Sequence, residues 1–214
     1  MQVFEKLSAT HFKEKAKEAC RIIDLRGLDE FSTFHVPGSL YLNIHQHFEK
    51  NINHFVFPDQ AILLVINEKD ENIIFEKFEK LGFNNIKGVL QGGIHSWSEH
   101  GFPLDVVISI SAEELMLEIN HGHIQILDIR SKNEYDLKHL EDSDNIQLDY
   151  LVSDYEMIDK NSEICIMCTN GDESMSLISY LKINGIHNIY HVEGGFKELE
   201  ESNYFKFEVS PDLN

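Results

Sequence analysis

Gln125-Ile126-Leu127-Asp128-Ile129-Arg130-Ser131-Lys132-Asn133-Glu134-Tyr135, followed by His139, is the second writing of a pattern the chain carries once already. The first writing is Arg21-Ile22-Ile23-Asp24-Leu25-Arg26-Gly27-Leu28-Asp29-Glu30-Phe31, followed by His35. Asp, Arg, Glu, an aromatic ring and His recur in order, each 104 positions on. Upstream, Leu7-Ser8-Ala9 is answered by Ile110-Ser111-Ala112 at an offset of 103; downstream, Gly92-Gly93-Ile94 is answered by Gly194-Gly195-Phe196 at 102. A repeat of this length sets the architecture before any local reading does. It predicts two copies of one domain, residues 1–105 and 106–214, meeting beside Phe102-Pro103-Leu104-Asp105.

Within each copy, short apolar runs alternate with helical patterns. In the second, Ser111-Ala112-Glu113-Glu114 is a capping box opening a helix through Leu115, Leu117 and Ile119. Ile124–Leu127, Glu163–Met167 and Asn188–Val192 read as buried strands, and Ser174–Ile183 as a helix stopped by Asn184-Gly185. The first copy has matching strands at Arg21–Leu25, Ala61–Ile66 and Ile86–Leu90, and a helix from about Asn72 to Leu81. Strands alternating with helices predict an α/β fold in each copy, a parallel sheet with helices on both faces. Ligands of such sheets bind outside the carboxyl ends of the strands.

A chain of 214 residues suits two small domains, and 42% hydrophobic residues are enough to fill their cores. No apolar run is long enough to cross a membrane, and Met1-Gln2-Val3-Phe4-Glu5-Lys6 lacks a signal-peptide pattern. Three cysteines do not make a disulfide framework, which points to a reducing, cytoplasmic compartment. The net charge of −19 argues against nucleic acid and anionic membrane as partners. It is uneven: residues 1–105 hold 11 Lys and Arg against 15 Asp and Glu, and residues 106–214 hold 7 against 22.

Cys168 follows the strand Glu163–Met167 and opens the loop Cys168-Thr169-Asn170-Gly171-Asp172-Glu173-Ser174, with a helix behind it. Backbone N–H groups and a helix N-terminus at such a place favour a thiolate, the nucleophilic form, or a persulfide made from it. Gly171 lets the backbone curl. The bland alternative is a small buried thiol at a strand end. Cys165-Ile166-Met167-Cys168 is formally a CxxC motif, but it lies along a strand, so Cys165 reads as core; Cys20 reads as structural. The pairs His45/His47 and His121/His123 have no further ligands at metal-site spacing, so no metal is expected. Asp24/Arg26 and Asp128/Arg130 read as ion pairs at strand ends, with Arg130 on the border of the pocket.

Across nearly its whole length the chain resembles the rhodanese superfamily. The family's opening pattern is Asp-x-Arg, Glu-aromatic, then His-Ile-Pro-Gly. Asp24, Arg26, Glu30, Phe31, His35, Val36, Pro37 and Gly38 match it; Asp128, Arg130, Glu134, Tyr135 and His139 match it without the Pro-Gly. Gly92-Gly93-Ile94 with Trp97 and Pro103 resembles the closing pattern. Cys168, Gly171 and Ser174 match an active loop of the form Cys-x-x-Gly-x-Arg-Ser. The pair is also similar to the tandem rhodanese region that follows metallo-β-lactamase-fold persulfide dioxygenases. That dioxygenase part is expected to be absent, since the first repeat opens within a few residues of Met1.

The resemblance implies a sulfurtransferase in which Cys168 carries sulfane sulfur as a persulfide, held by the amides of residues Thr169 to Ser174. A small-molecule or protein donor supplies the sulfur, a thiol accepts it, and no cofactor is needed. The first copy has Val65-Ile66-Asn67-Glu68-Lys69-Asp70 at the loop position and is expected to be inactive. Glu173 stands where the family has Arg, beside Asp172. These carboxylates are expected to raise the Cys168 pKa and to disfavour thiosulfate. A cysteine phosphatase or arsenate reductase of related fold needs a loop Arg for its oxyanion, and this loop has none. The competing reading is a rhodanese-like binding or regulatory module without catalysis.

Overall fold

The computed structural model describes residues 4–122, 124–158 and 161–210. The chain divides into two compact units, Met1–Val106 and Val107–Asn214. In the first, β1 (Lys6–Leu7), α1 (Ala9–Ala16), β2 (Arg21–Asp24), α2 (Leu28–Thr33), β3 (Ser39–Tyr41), α3 (Phe48–Phe55), β4 (Ile62–Val65), α4 (Glu71–Lys80), β5 (Ile86–Leu90) and α5 (Gly93–Glu99) follow in turn. The second unit begins with β6 (Ile108–Ile110), α6 (Ala112–His121), β7 (Ile124–Asp128), α7 (Lys132–Leu137), β8 (His139–Leu140) and β9 (Asp144–Asn145). It continues with α8 (Leu148–Ser153), β10 (Glu163–Met167), α9 (Asp172–Ile183), β11 (Ile189–Val192), α10 (Gly195–Ser202) and β12 (Phe207–Glu208).

The two sheets have one topology. Strand order is β1-β5-β4-β2-β3 in the first unit and β6-β11-β10-β7-β9 in the second, and every pairing in both is parallel. The central strands β4 and β10 are near-continuous apolar runs because both of their faces are covered. Each unit has its own core: Leu7, Phe12, Leu63, Val65 and Trp97 in the first, and Leu115, Ile126, Cys165, Met167 and Phe196 in the second. The second unit adds a pairing the sequence did not announce, β12 antiparallel to β8.

The repeated polar residues build the same joint twice. Arg26 forms an ion pair with Asp24 at 2.7 Å and donates to Phe34 O; Arg130 does the same with Asp128 at 2.6 Å and with Lys138 O. His35 stacks on Phe31 and His139 on Tyr135, both with ring centroids 3.9 Å apart. Each imidazole Nδ1 lies 2.8 Å from the carbonyl oxygen of the residue it stacks on. A carbonyl only accepts, so Nδ1 carries the proton. The Trp97 indole donates to Pro103 O at 2.7 Å, which ties the closing Trp to its Pro. The sheet register makes the copies comparable residue by residue. Asp24 lies opposite Val65 and Asp128 opposite Met167, so Ile66 and Cys168 are equivalent positions, one residue beyond the central strand. Among the described residues, no helix is long and apolar enough to cross a membrane.

Candidate active site

β10 ends at Met167, and the chain turns at once so that the Cys168 side chain, only 1% exposed, faces the start of α9. Gly171 adopts φ of +94°, a left-handed conformation that suits glycine, and caps α9. That cap starts the helix at Asp172, two residues before the apolar spacing indicates. The curl brings two N–H groups onto one sulfur: Gly171 N–H donates to Cys168 Sγ at 3.2 Å and Ser174 N–H at 3.4 Å. The Ser174 hydroxyl lies 3.5 Å from the same sulfur.

Burial dominates the protonation of Cys168 and pushes its pKa up. The Ser174 hydroxyl, the Ser174 N–H and the Asn170 N–H pull it back, and the Glu173 carboxylate adds the smallest push upward. The expected direction is therefore found, but desolvation is its chief cause and the neighbouring carboxylates are not. Asp172, 8% exposed, lies in the first turn of α9, where its own N–H donates to Asn170 Oδ1 at 3.3 Å. Thr169 donates to Glu134 Oε1 at 3.3 Å, so a third carboxylate stands at the rim.

The closing glycines explain how the loop is clamped. Phe196 N–H donates to Cys168 O at 2.8 Å and Lys197 N–H to Thr169 O at 3.2 Å, so the N-terminus of α10 grips the loop from behind. A Cβ on Gly195 would lie 2.8 Å from Gly171 N and 2.9 Å from Asn170 N, and closer still to Cys168 O. Arg130 lies behind this clamp. Its guanidinium is doubly bonded to Asp128, sits 3.5 Å from the centre of the Phe196 ring and is 6% exposed. It supports the loop through Phe196 while its charge is spent on Asp128.

His191, on β11, is fully buried beneath the loop. Its Nε2 lies 3.1 Å from Gly171 O and its Nδ1 3.1 Å from Ser109 Oγ. Sequence reading missed both residues, because a lone histidine in an apolar strand looks like any core residue. The signal that was available is the repeat: His191 pairs with Ser109 in the register where the first copy pairs Val89 with Lys6.

In the first copy Ile66 takes the place of Cys168, and the loop becomes a turn of 3-10 helix, Glu68–Asp70. The clamp relaxes there, since a Cβ on Gly93 would meet nothing nearer than Ile66 O at 3.8 Å. A cavity of about 260 Å³ opens at this end of the sheet beside Glu30, Asn43, His45, Asn67 and Lys69, and no cysteine lines it. Cys165 lies within the second core, and burial drives its thiol far above the ordinary range. Cys20, Cys165 and Cys168 are all free thiols. His45 faces Asp70 at 3.5 Å, and His123 lies outside the described residues. Among the described residues, no three His, Cys, Asp or Glu side chains are grouped to hold a metal ion.

This cysteine-headed loop at the carboxyl end of a parallel sheet, built on a duplicated frame, defines a class. The family model described as the rhodanese-like domain matches residues 8–100 and 111–202, and the chain belongs to that family. It is 26% identical over 96 residues to a thiosulfate sulfurtransferase, GlpE, of Vibrio cholerae, covering 45% of this chain and 89% of that protein. It is 29% identical over 116 residues to a tRNA uridine(34) hydroxylase of Buchnera aphidicola, covering 51% of this chain and 35% of that one. Among solved structures, a rhodanese-like domain protein from Staphylococcus aureus is 26% identical with a TM-score of 0.44, covering 49% of this chain and 99% of that one.

Proposed function

We propose that the second domain is a sulfurtransferase whose Cys168 carries sulfane sulfur as a persulfide. The observation that carries this reading is the pair of N–H groups, from Gly171 and Ser174, aimed at one sulfur at the head of a helix. Such a cradle favours an anionic sulfur, whether thiolate or persulfide. The Cys168 thiolate attacks the outer sulfur of a donor persulfide. The donor's S–S bond breaks, and its thiolate leaves with the bonding pair. An acceptor thiolate then attacks the terminal sulfur of the Cys168 persulfide, breaks that S–S bond and restores the Cys168 thiolate. No electrons are gained or lost overall, and no cofactor or metal enters.

The surroundings bear on the donor. Asp172, Glu173 and Glu134 stand about the loop, and Arg130 is held by Asp128. A dianion such as thiosulfate meets repulsion there with no free guanidinium to offset it. A neutral, cationic or protein-borne persulfide is the favoured donor, and a thiol the acceptor, in a reducing, cytoplasmic setting. Nucleic acid and membrane are not partners in this reading. The first domain has Ile66 and no nucleophile at the loop position, and serves as a structural partner.

A second reading, a binding or regulatory module without catalysis, draws on the near-complete burial of Cys168 and its raised pKa. Turnover separates the two. With glutathione persulfide as donor and a thiol as acceptor, the wild-type chain accelerates transfer and Cys168→Ser abolishes the acceleration. Equal rates for the two proteins exclude the sulfurtransferase.

A further inference from the structure

The first domain has another cavity, of about 220 Å³, walled by the end of α4 and by the residues that lead into β1 and β5. Ile86 opens β5, and Phe4 and Glu5 precede β1, so the cavity lies at the amino end of the sheet, away from Ile66. Its lining holds four phenylalanines, Phe4, Phe75, Phe78 and Phe83. Phe4 and Phe75 meet with ring centroids 5.5 Å apart at 54°, and Phe78 and Phe83 at 6.0 Å and 67°. Neither pair stacks, so the rings do not cover one another's faces. Glu5 and Glu79, both exposed, add two carboxylates, and no Lys or Arg is among the described lining residues. Lys15, which bonds Glu5 at 3.2 Å, stands outside the lining.

The repeat shows that the fold does not ask for these residues. At a constant offset of 103, Phe4, Phe75, Phe78 and Phe83 are answered by Val107, Ile178, Leu181 and Ile186, and Glu5 and Glu79 by Ile108 and Lys182. The turn is the same in both copies. Phe83 N–H donates to Phe78 O and Ile186 N–H to Leu181 O, each at 3.0 Å, around Gly82 and Gly185 at φ of +79° and +84°. Aliphatic side chains therefore suffice for this turn and its packing. The first copy has instead gathered aromatic rings and carboxylates about a cavity. Both attract positive charge, and the rings also pack against alkyl groups, so their common guest is a cation with an apolar coat. A volume of 220 Å³ is below the roughly 300–1,000 Å³ of a site for a drug-sized molecule, so the guest is no larger than a head group.

We propose that this cavity binds a small alkylated ammonium ion, about the size of choline. A basic segment of another protein fits less well, because Lys15 beside Glu5 repels it. The site is independent of Cys168 and gives a role to the domain that lacks the nucleophile.

The test is a titration of the full chain with choline chloride at constant ionic strength, followed by amide NMR shifts. Dimethylbutanol, the neutral carbon isostere of choline, is the control. Choline is expected to shift the amides of Phe75, Glu79 and Phe83. It is also expected to bind at least about fivefold more tightly than the isostere, the worth of one partly desolvated cation–π contact. Phe75→Ile and Glu79→Lys write the second copy's residues into the first, and each is expected to weaken choline about fivefold or more. Glu79→Lys spares the isostere. Trp97 fluorescence checks that the first domain of each variant is folded, and Glu79 is exposed, so its variant carries the test where Phe75→Ile does not fold. Equal affinity for choline and isostere overturns the proposal, as do undiminished choline binding in Glu79→Lys and unmoved amides around the cavity. Tighter binding of a trimethyllysine peptide than of choline overturns the small-molecule guest.

Discussion

Adding one methyl group at Gly195 tests the clamp directly, and the repeat supplies its own control at Gly93. Both residues have positive φ, +65° and +57°, so either alanine pays the left-handed cost of about 1–2 kcal/mol. Only at Gly195 does the added Cβ overlap the loop, 2.8 Å from Gly171 N and 2.9 Å from Asn170 N, whereas at Gly93 it rests in ordinary contact, 3.8 Å from Ile66 O. Relieving that overlap means moving the backbone of a packed loop, an overpacking cost of about 1–3 kcal/mol more. Gly195→Ala is therefore expected to destabilise the second domain by about 2–5 kcal/mol, and Gly93→Ala the first by about 1–2 kcal/mol. Trp97, the only tryptophan, is buried in the first domain and reports its unfolding by fluorescence. Amide exchange in β10 and β11 reports the second. The displaced loop also loses its N–H cradle, so Cys168 alkylation slows in Gly195→Ala and stays unchanged in Gly93→Ala. Equal destabilisation by the two alanines, with Cys168 reactivity intact, refutes the clamp.

Asp128→Ala leaves the Arg130 charge buried without its partner and is expected to cost about 3–5 kcal/mol, read as a lower denaturant midpoint for the second domain. Cys165 and Cys168 both have raised pKa values when folded, so the unfolded chain gives up their protons first as pH rises. The second domain then holds its full stability below about pH 8.5 and loses it above, and Cys165→Ala flattens that alkaline decline in thermal unfolding. Glu173→Arg removes an upward push on the Cys168 pKa and adds a cation at the rim, so thiosulfate uptake rises in a sulfur-release assay. No rise in uptake means that burial, and not charge, excludes this donor.

The duplicated fold was legible because each copy repeats its strand-end Asp and Arg, its stacked aromatic and His, and its closing glycines. These are the residues that build the joint and the clamp. β10 was found at the bounds read from its apolar run, Glu163–Met167. Short elements were not legible: α3 and α8 have too few turns to set a period, and β12 pairs with β8 over two residues. Cys168 was legible from the strand before it and Gly171 after it. The sign of its pKa shift was foreseen from Asp172 and Glu173, but its main cause, burial, depends on packing that no local pattern encodes. His191 and Ser109 stayed hidden because strands far apart in sequence bring them together, 82 residues apart.

The central claim is that Cys168 accepts sulfur, and intact-protein and peptide mass spectrometry after exposure to glutathione persulfide, polysulfide or thiosulfate tests it most directly. One added sulfur, about 32 Da, is predicted on the Cys168 peptide with the persulfide donors and far less with thiosulfate. The adduct is lost on treatment with an acceptor thiol and is missing in Cys168→Ser. An unmodified Cys168 with all three donors contradicts the account, as does sulfur found on Cys20 alone.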